Sequence, residues 1–370
     1  MSNFGSVDFR KNSSKHASHL SHLISTVQVQ RGVGRMILLL AVLFLVFAAL
    51  NPRVFLNPFN LQNIGTGAPE IGLLSLAMMI TMLTGGIDLS VVAIANASAI
   101  TVSSLYTAVS VGAGVDAAES LTLVFIISGI AMGALLGAVN GVLISVVGIT
   151  PILTTLGTMQ LFNGLALVWT NGTTISGAPS GLSAVGSVAL AGIPLLFLIL
   201  ILVAVFLAIM IDRTPIGRKI QLQGANPVAA RYSGISSRST LMTAYMTSGV
   251  LGGIAGLLFL ARNPSASADY GSSYILLAIV IAVLGGTNPN GGFATVLGVV
   301  LATLTLQVMS SGFTALRLSA FEYAIAQGAL LVLVMVFDQL RFRRWRPIPP
   351  PPSSETVLIA TERKRKAERS

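Results

Sequence analysis

Apolar residues run along this chain in long blocks, broken by short polar or glycine-containing segments. A bilayer core takes about 20 mostly apolar residues per helix. Ten blocks approach that length, at 36–50, 66–84, 88–110, 121–147, 150–170, 193–211, 238–261, 273–287, 291–312 and 320–340, the first and eighth being short. Several boundaries carry their own signal. Thr150-Pro151 has the form of an N-cap followed by proline at the first helical position, where the missing N–H costs nothing. Asn288-Pro289-Asn290-Gly291-Gly292 has the composition of a tight turn between the eighth and ninth blocks. The pattern predicts an all-α, polytopic bundle of about ten transmembrane helices.

Composition agrees. Of 370 residues 54% are apolar and 9% charged, with a mean hydropathy of +0.84. Soluble domains carry about 25% charged residues, so this chain lacks the charge to cover a water-facing surface. The net charge of +10 is unevenly spread. Five of the 22 basic residues precede residue 36, nine follow 340, and Arg213, Arg218, Lys219, Arg231 and Arg238 share the loop 212–239. With ten spans these segments fall on one side, and Arg53, Arg262 and Arg317 on the other. The positive-inside rule then places both termini in the cytoplasm.

Basic residues that flank apolar helices point to a membrane and lipid rather than to nucleic acid. The expected organisation is a basic cytoplasmic tail over 1–35, a transmembrane region over 36–340 and a disordered basic tail over 341–370. That last tail holds Pro350-Pro351-Pro352 and Arg363-Lys364-Arg365-Lys366. The run Met36–Leu50 follows 35 polar residues and precedes no clear cleavage site, so it is expected to be a retained span. There is no cysteine to form a disulfide or thiolate site. His16, His19 and His22 in the Ser-rich N-terminal tail are expected to be solvated, and no metal site is expected.

Residues 83–90 (Leu-Thr-Gly-Gly-Ile-Asp-Leu-Ser) and 283–290 (Val-Leu-Gly-Gly-Thr-Asn-Pro-Asn) each end an apolar block. Pairing Gly85-Gly86 with Gly285-Gly286 reads as an internal repeat; two convergent glycine-rich turns are the alternative. Asp88 lies between two apolar stretches. It either caps the third span, accepting from free helix N–H groups, or serves in a polar pathway. Glu70 and Glu322, in the first turns of the second and tenth predicted spans, suggest capping as well. Polar residues in otherwise apolar helices, namely Ser90, Asn96, Asn140, Thr154 and Asn163, are candidates to line a pathway or to bond neighbouring helices.

No Lys or His lies mid-span and few acids do, whereas ion-coupled carriers need such groups. The G-x-x-x-x-G-K-[ST] phosphate loop is absent as well, so this chain does not hydrolyse ATP by that route. In the central loop, Gly224-Ala225-Asn226-Pro227-Val228-Ala229-Ala230-Arg231-Tyr232-Ser233-Gly234-Ile235 predicts a two-turn helix. Asn226 is its N-cap, Pro227 its first residue and Gly234 its left-handed stop. Ala229 and Ala230 would give it a small face for a partner, and a helix this short needs packing to persist.

That loop, with Thr84-Gly85-Gly86-Ile87-Asp88-Leu89-Ser90, Gly137-Ala138-Val139-Asn140-Gly141, Thr150-Pro151-Ile152-Leu153-Thr154-Thr155-Leu156-Gly157-Thr158 and Leu284-Gly285-Gly286-Thr287, resembles the ribose-type sugar permeases of bacterial ATP-binding-cassette importers. The motifs stand in the family's order over about 65–335. The resemblance implies a non-catalytic inner-membrane permease that pairs with a second permease, two cytoplasmic ATPases and a periplasmic sugar-binding protein. This chain would bind no cofactor, and the ATPases would use ATP and Mg. It also implies that Gly224, Asn226, Ala229, Ala230 and Gly234, with Arg218 nearby, form the surface that couples to the ATPase. Asn288-Pro289 departs from the family's pattern after the second glycine pair. Alternatives are a same-family permease for a furanose-like signalling molecule, a passive channel, or an intramembrane enzyme using Asp88, which would lack a second acid.

Overall fold

The computed structural model describes residues 33–319 and 321–329, with 332, 333 and 336. Residues 1–32, including His16, His19 and His22, the C-terminal tail and part of the tenth block lie outside the described residues.

Helices α1 (Val33–Leu50) and α2 (Pro52–Phe55) lead into α3 (Pro58–Leu83). Asn57 starts α3 by accepting the N–H of Phe59 at 2.9 Å, with Pro58 at the first helical position. At 26 residues α3 is about 39 Å long, longer than a bilayer core of about 30 Å. Every residue from Gly67 to Leu83 is buried. A helix enclosed on all sides belongs at the centre of a bundle, and α3 is the axis of this one.

Around α3 pack α9 (Leu195–Arg213), α12 (Ser237–Arg262), α13 (Tyr274–Leu284) and α14 (Val296–Ala315). Helices α4 (Val91–Ala113), α6 (Thr122–Val142) and α7 (Pro151–Thr170) pack beside α12 or one another. The outer helices α1, α6, α7 and α9 leave large apolar side chains exposed, among them Leu45, Leu123, Val168 and Phe206. No water-facing surface would carry these; a lipid-facing one does.

Where α6 crosses α12 the two backbones touch. A Cβ on Gly137 would lie 2.6 Å from the Tyr245 carbonyl oxygen, and one on Gly133 would overlap that of Gly249. Close approach through small residues is how membrane helices gain packing without a hydrophobic drive between them.

Eight described helices are long and apolar enough to cross a membrane, fewer than the ten predicted. The tenth block is described in part, helical over 321–329 and at 332, 333 and 336. The eighth is corrected. α13 has 11 residues and is about 16 Å long, half a bilayer core. The segment before it returns into the bundle instead: Asn96 of α4 donates to the carbonyls of Ala268 at 2.7 Å and Tyr270 at 2.9 Å.

Between α7 and α9 lie α8 (Ser180–Ser187), a two-residue strand β1 (Ile175–Ser176) and the hairpin β2 (Ala189–Leu190) with β3 (Ile193–Pro194). β1 pairs antiparallel with β4 (Ser265–Ala266). The start of α8 is capped from a distance by Glu119, in α5 (Val115–Ser120), whose carboxylate accepts the Ser180 N–H at 2.9 Å and the Ser180 hydroxyl at 2.8 Å. The Ser180 N–H, chiefly, holds the half-buried Glu119 carboxyl below the ordinary glutamate range.

Candidate functional site

The loop 212–239 folds as two helices, one more than predicted. α10 (Pro215–Ala225) opens on Thr214-Pro215, the same signal as Thr150-Pro151, and the Thr214 hydroxyl accepts the Gly217 N–H at 3.3 Å. α11 (Pro227–Tyr232) has the predicted ends. Asn226 Oδ1 accepts the N–H groups of Val228 at 3.1 Å and Ala229 at 3.0 Å. Gly234 sits at φ +79°, and Ile235 N–H closes on the Ala230 carbonyl at 3.0 Å.

The small face is placed differently from the prediction. Ala230 is buried against its own chain and only Ala229 is exposed. The outward surface of α11 is Val228, Ala229, Arg231 and Tyr232, the last 90% exposed. Arg218 is exposed on α10. Gly224, in the last turn of α10, lies against the end of α3.

Asp88 lies in the loop from α3 to α4, fully buried. Of its two candidate roles, direct capping of the first turn of α4 is not what its bonds show. Oδ1 accepts from the Ser90 N–H at 3.0 Å and the Ser90 hydroxyl at 2.6 Å, and Ser90 is the residue before the first turn. Oδ2 accepts from the Ser248 hydroxyl of α12 at 2.9 Å. Asn140 Nδ2 of α6 donates to Ser90 Oγ at 2.7 Å, and Thr158 Oγ1 of α7 donates to Asn140 Oδ1 at 2.7 Å. Thr155 Oγ1 donates to the Ile87 carbonyl at 3.0 Å. The bonds from Thr158 through Asn140 and Ser90, and the one from Ser248, all point toward the carboxylate, which therefore ties α6, α7 and α12 to the loop that opens α4.

A second polar layer lies deeper. Glu70 is not in a first turn. α3 starts 12 residues earlier, which puts Glu70 about 20 Å from its C-terminal end. It is 1% exposed and its Oε2 meets Arg262 Nη1, at the end of α12, at 3.3 Å. The Tyr270 hydroxyl is 3.2 Å from the same oxygen. Glu70 Oε1 and Asn96 Oδ1 are buried without a hydrogen-bond partner among the described residues. Glu322, by contrast, fits its predicted capping role, accepting the Ser319 N–H at 2.6 Å while Ser319 Oγ accepts the Glu322 N–H at 3.3 Å.

Of the candidate lining residues, Asp88, Ser90 and Asn140 are thus brought together, and Asn96 joins the second layer. Thr154 is buried on α7 with its hydroxyl free of partners among the described residues, and Asn163 is half-buried on the same helix. The glycine pairs lie on adjacent turns, but their register is shifted by one. Gly85 and Gly286 take the same left-handed conformation, at φ +84° and +91°, and Gly86 and Thr287 close the same bond back to Thr81 and Ala282. Gly85 therefore corresponds to Gly286 rather than to Gly285. Sequence reasoning missed Ser248, Arg262 and Tyr270, because each meets its partner from 160 to 200 residues away.

Residues 60–337 match the family described as the permease component of branched-chain amino acid transport systems. Among curated proteins, the ribose import permease of Bacillus subtilis is 34% identical over 81% of this chain and 90% of its own length. The D-allose transport system permease of Escherichia coli is 30% identical over 82% and 90%. The autoinducer 2 import system permease of Yersinia enterocolitica is 32% identical over 74% and 82%. No solved structure matches.

Proposed function

Because this chain belongs to the permease family of bacterial importers, as a multi-pass inner-membrane protein, we propose that it forms the translocation pathway for a sugar and takes its energy from a separate cytoplasmic ATPase. The observation that carries this is α11. It is a two-turn helix capped at both ends that turns Val228, Ala229, Arg231 and Tyr232 outward. Aromatic and Arg side chains are the groups that anchor protein interfaces. The two polar layers would then serve the pathway: hydroxyls, an amide and carboxylates are groups that a polyol can exchange for water. Partners in this reading are two ATPase subunits using ATP and Mg, a periplasmic binding protein and a second permease copy or paralogue.

A passive channel has no use for such a helix, and an enzyme would need a second reactive group beside Asp88, whose neighbours are hydroxyls and an amide. A furanose-like signalling solute is the second reading, favoured by the autoinducer 2 relatives. The test is co-purification and uptake. Wild-type protein should retain an ATPase encoded with it, and Val228→Asp with Tyr232→Ala should release it and abolish uptake, at normal membrane insertion. A double variant that keeps its ATPase and transports normally overturns the proposal. Uptake of labelled ribose and allose against autoinducer 2 separates the two solute classes.

A further inference from the structure

The turn between α13 and α14 is built as a rigid unit. Asn288 Nδ2 donates to the Gly291 carbonyl at 3.0 Å, Asn288 Oδ1 accepts the Asn290 N–H at 3.1 Å, and Asn288 N–H donates to the Phe293 carbonyl at 2.9 Å. Pro289 fixes one more backbone angle inside it. This turn meets the coupling segment with no side chain between them. A Cβ on Gly224 would overlap the Leu83 carbonyl and lie 2.6 Å from the Gly292 nitrogen. One on Gly291 would lie 2.8 Å from both the Gly224 carbonyl oxygen and the Gly85 nitrogen, and one on Gly292 would lie 2.9 Å from Ala225 Cα. The Gly292 N–H donates to the Leu83 carbonyl at 3.0 Å. The last turn of α10 is thus clamped, backbone to backbone, between the end of α3 and the α13–α14 turn.

Side chains absorb small displacements by changing rotamer; packed backbones do not. Beyond the clamp, Asn226 alone separates α10 from α11, capping one and closing the other. On the other side, α3 carries Glu70 and α13 leads back to Tyr274 and Tyr270. We propose that a displacement of α11 is passed through Gly224 to α3 and α13 together. Asn288 is the positioning residue that keeps the receiving turn stiff. This rests on the reading of α11 as the ATPase contact, and it adds the route by which that contact moves the second polar layer.

The test uses the full complex with its ATPase. Asn288→Ala removes both side-chain bonds of the turn, while Asn288→Asp keeps the acceptor for Asn290. Asn288→Ala should retain the ATPase and near-normal hydrolysis, while solute imported per ATP falls about three- to thirty-fold, and Asn288→Asp should fall less. The chain has no cysteine, so Asn290→Cys places a single thiol on the exposed turn. Its alkylation by a maleimide should change several-fold when the complex is trapped with ATP and vanadate, and Ser187→Cys on α8 should not respond. Unchanged import per ATP in Asn288→Ala overturns the proposal. So does parallel loss of ATPase, hydrolysis and uptake, or an Asn290→Cys alkylation rate blind to trapping. If wild-type protein holds no ATPase, the reading of α11 itself has failed, and the route falls with it.

Discussion

Glu70 and Asp88 are both buried acids, and their neighbours give them different work. Asp88 has hydroxyls and one N–H around it and, among the described residues, no cation as a hydrogen-bond partner. Glu70 has Arg262 and Tyr270. Asparagine at 88 keeps one acceptor and can bond Ser248 in the reverse sense, so Asp88→Asn should assemble and transport with modest loss. Asp88→Leu strands the N–H and hydroxyl of Ser90 and the hydroxyl of Ser248, at about 1–3 kcal/mol for each buried polar group left unmatched. A thermal melt of the detergent-purified complex should therefore rank wild type, Asp88→Asn and Asp88→Leu in that order. Abolished transport in a well-folded Asp88→Asn complex would instead assign the charge to the pathway. For Glu70 the expected sign is asymmetric. Arg262→Leu leaves a buried carboxylate without its cation, and breaking such a pair by one partner is costlier than replacing both. Folded yield should be lower for Arg262→Leu than for the double variant Glu70→Leu with Arg262→Leu; equal yields would show that the pair holds nothing together.

At the scale of elements, local signals are legible wherever the chain states them itself. Both caps of α11 are as Asn226, Pro227 and Gly234 specify, because capping is settled within a few residues. The same Thr-Pro signal at Thr214-Pro215 starts α10, a helix that a single two-turn helix in this loop leaves out. The α3 start was missed because Asn60, Gln62, Asn63 and Thr66 dilute its first turns, so a hydropathy pattern begins the helix at 66 rather than at Pro58. Which alanine of α11 faces outward was not legible, since the sequence supplies no position for the rest of the protein. Ala230→Glu would accordingly disturb the seat of α11 on its own chain, and Tyr232 and Val228 are the positions that probe a partner. The α5–α8 contact adds a pH dependence. Glu119 titrates lower folded than free, so its contribution is present above the ordinary glutamate range and is lost as pH falls through the folded value. Protease cleavage within 171–193 should rise on acidification below about pH 4.3, and Glu119→Gln should cleave at a rate independent of pH. A wild-type rate that stays flat would remove the cap.

For the whole molecule, the positive-inside distribution sets an orientation that a fusion experiment reads directly. A reporter after Ser370 should be cytoplasmic and one near Gly177 extracytoplasmic. Finding both on one side would overturn this orientation. The loops at 84–90, 224–234 and 288–292 belong at the same end of the bundle, as the contacts of Gly224, Leu83 and Gly292 require, so the positive-inside rule predicts one side for all three, the cytoplasm, and the fusion experiment tests it.

The sequence by itself determined the helical membrane class, the capped helix α11 and the family to which the chain belongs. Each follows from composition or from residues within a turn of one another. Only the tertiary structure decided that α13 spans half a bilayer, that Glu70 faces Arg262, that Ala230 is turned inward and that Gly85 matches Gly286. In a chain whose interior and lipid-facing exterior are equally apolar, hydropathy has no contrast with which to tell one side of a helix from the other. The facing is set by backbone approach at glycines such as Gly133, Gly137 and Gly224, and by polar pairs formed across 160 residues or more.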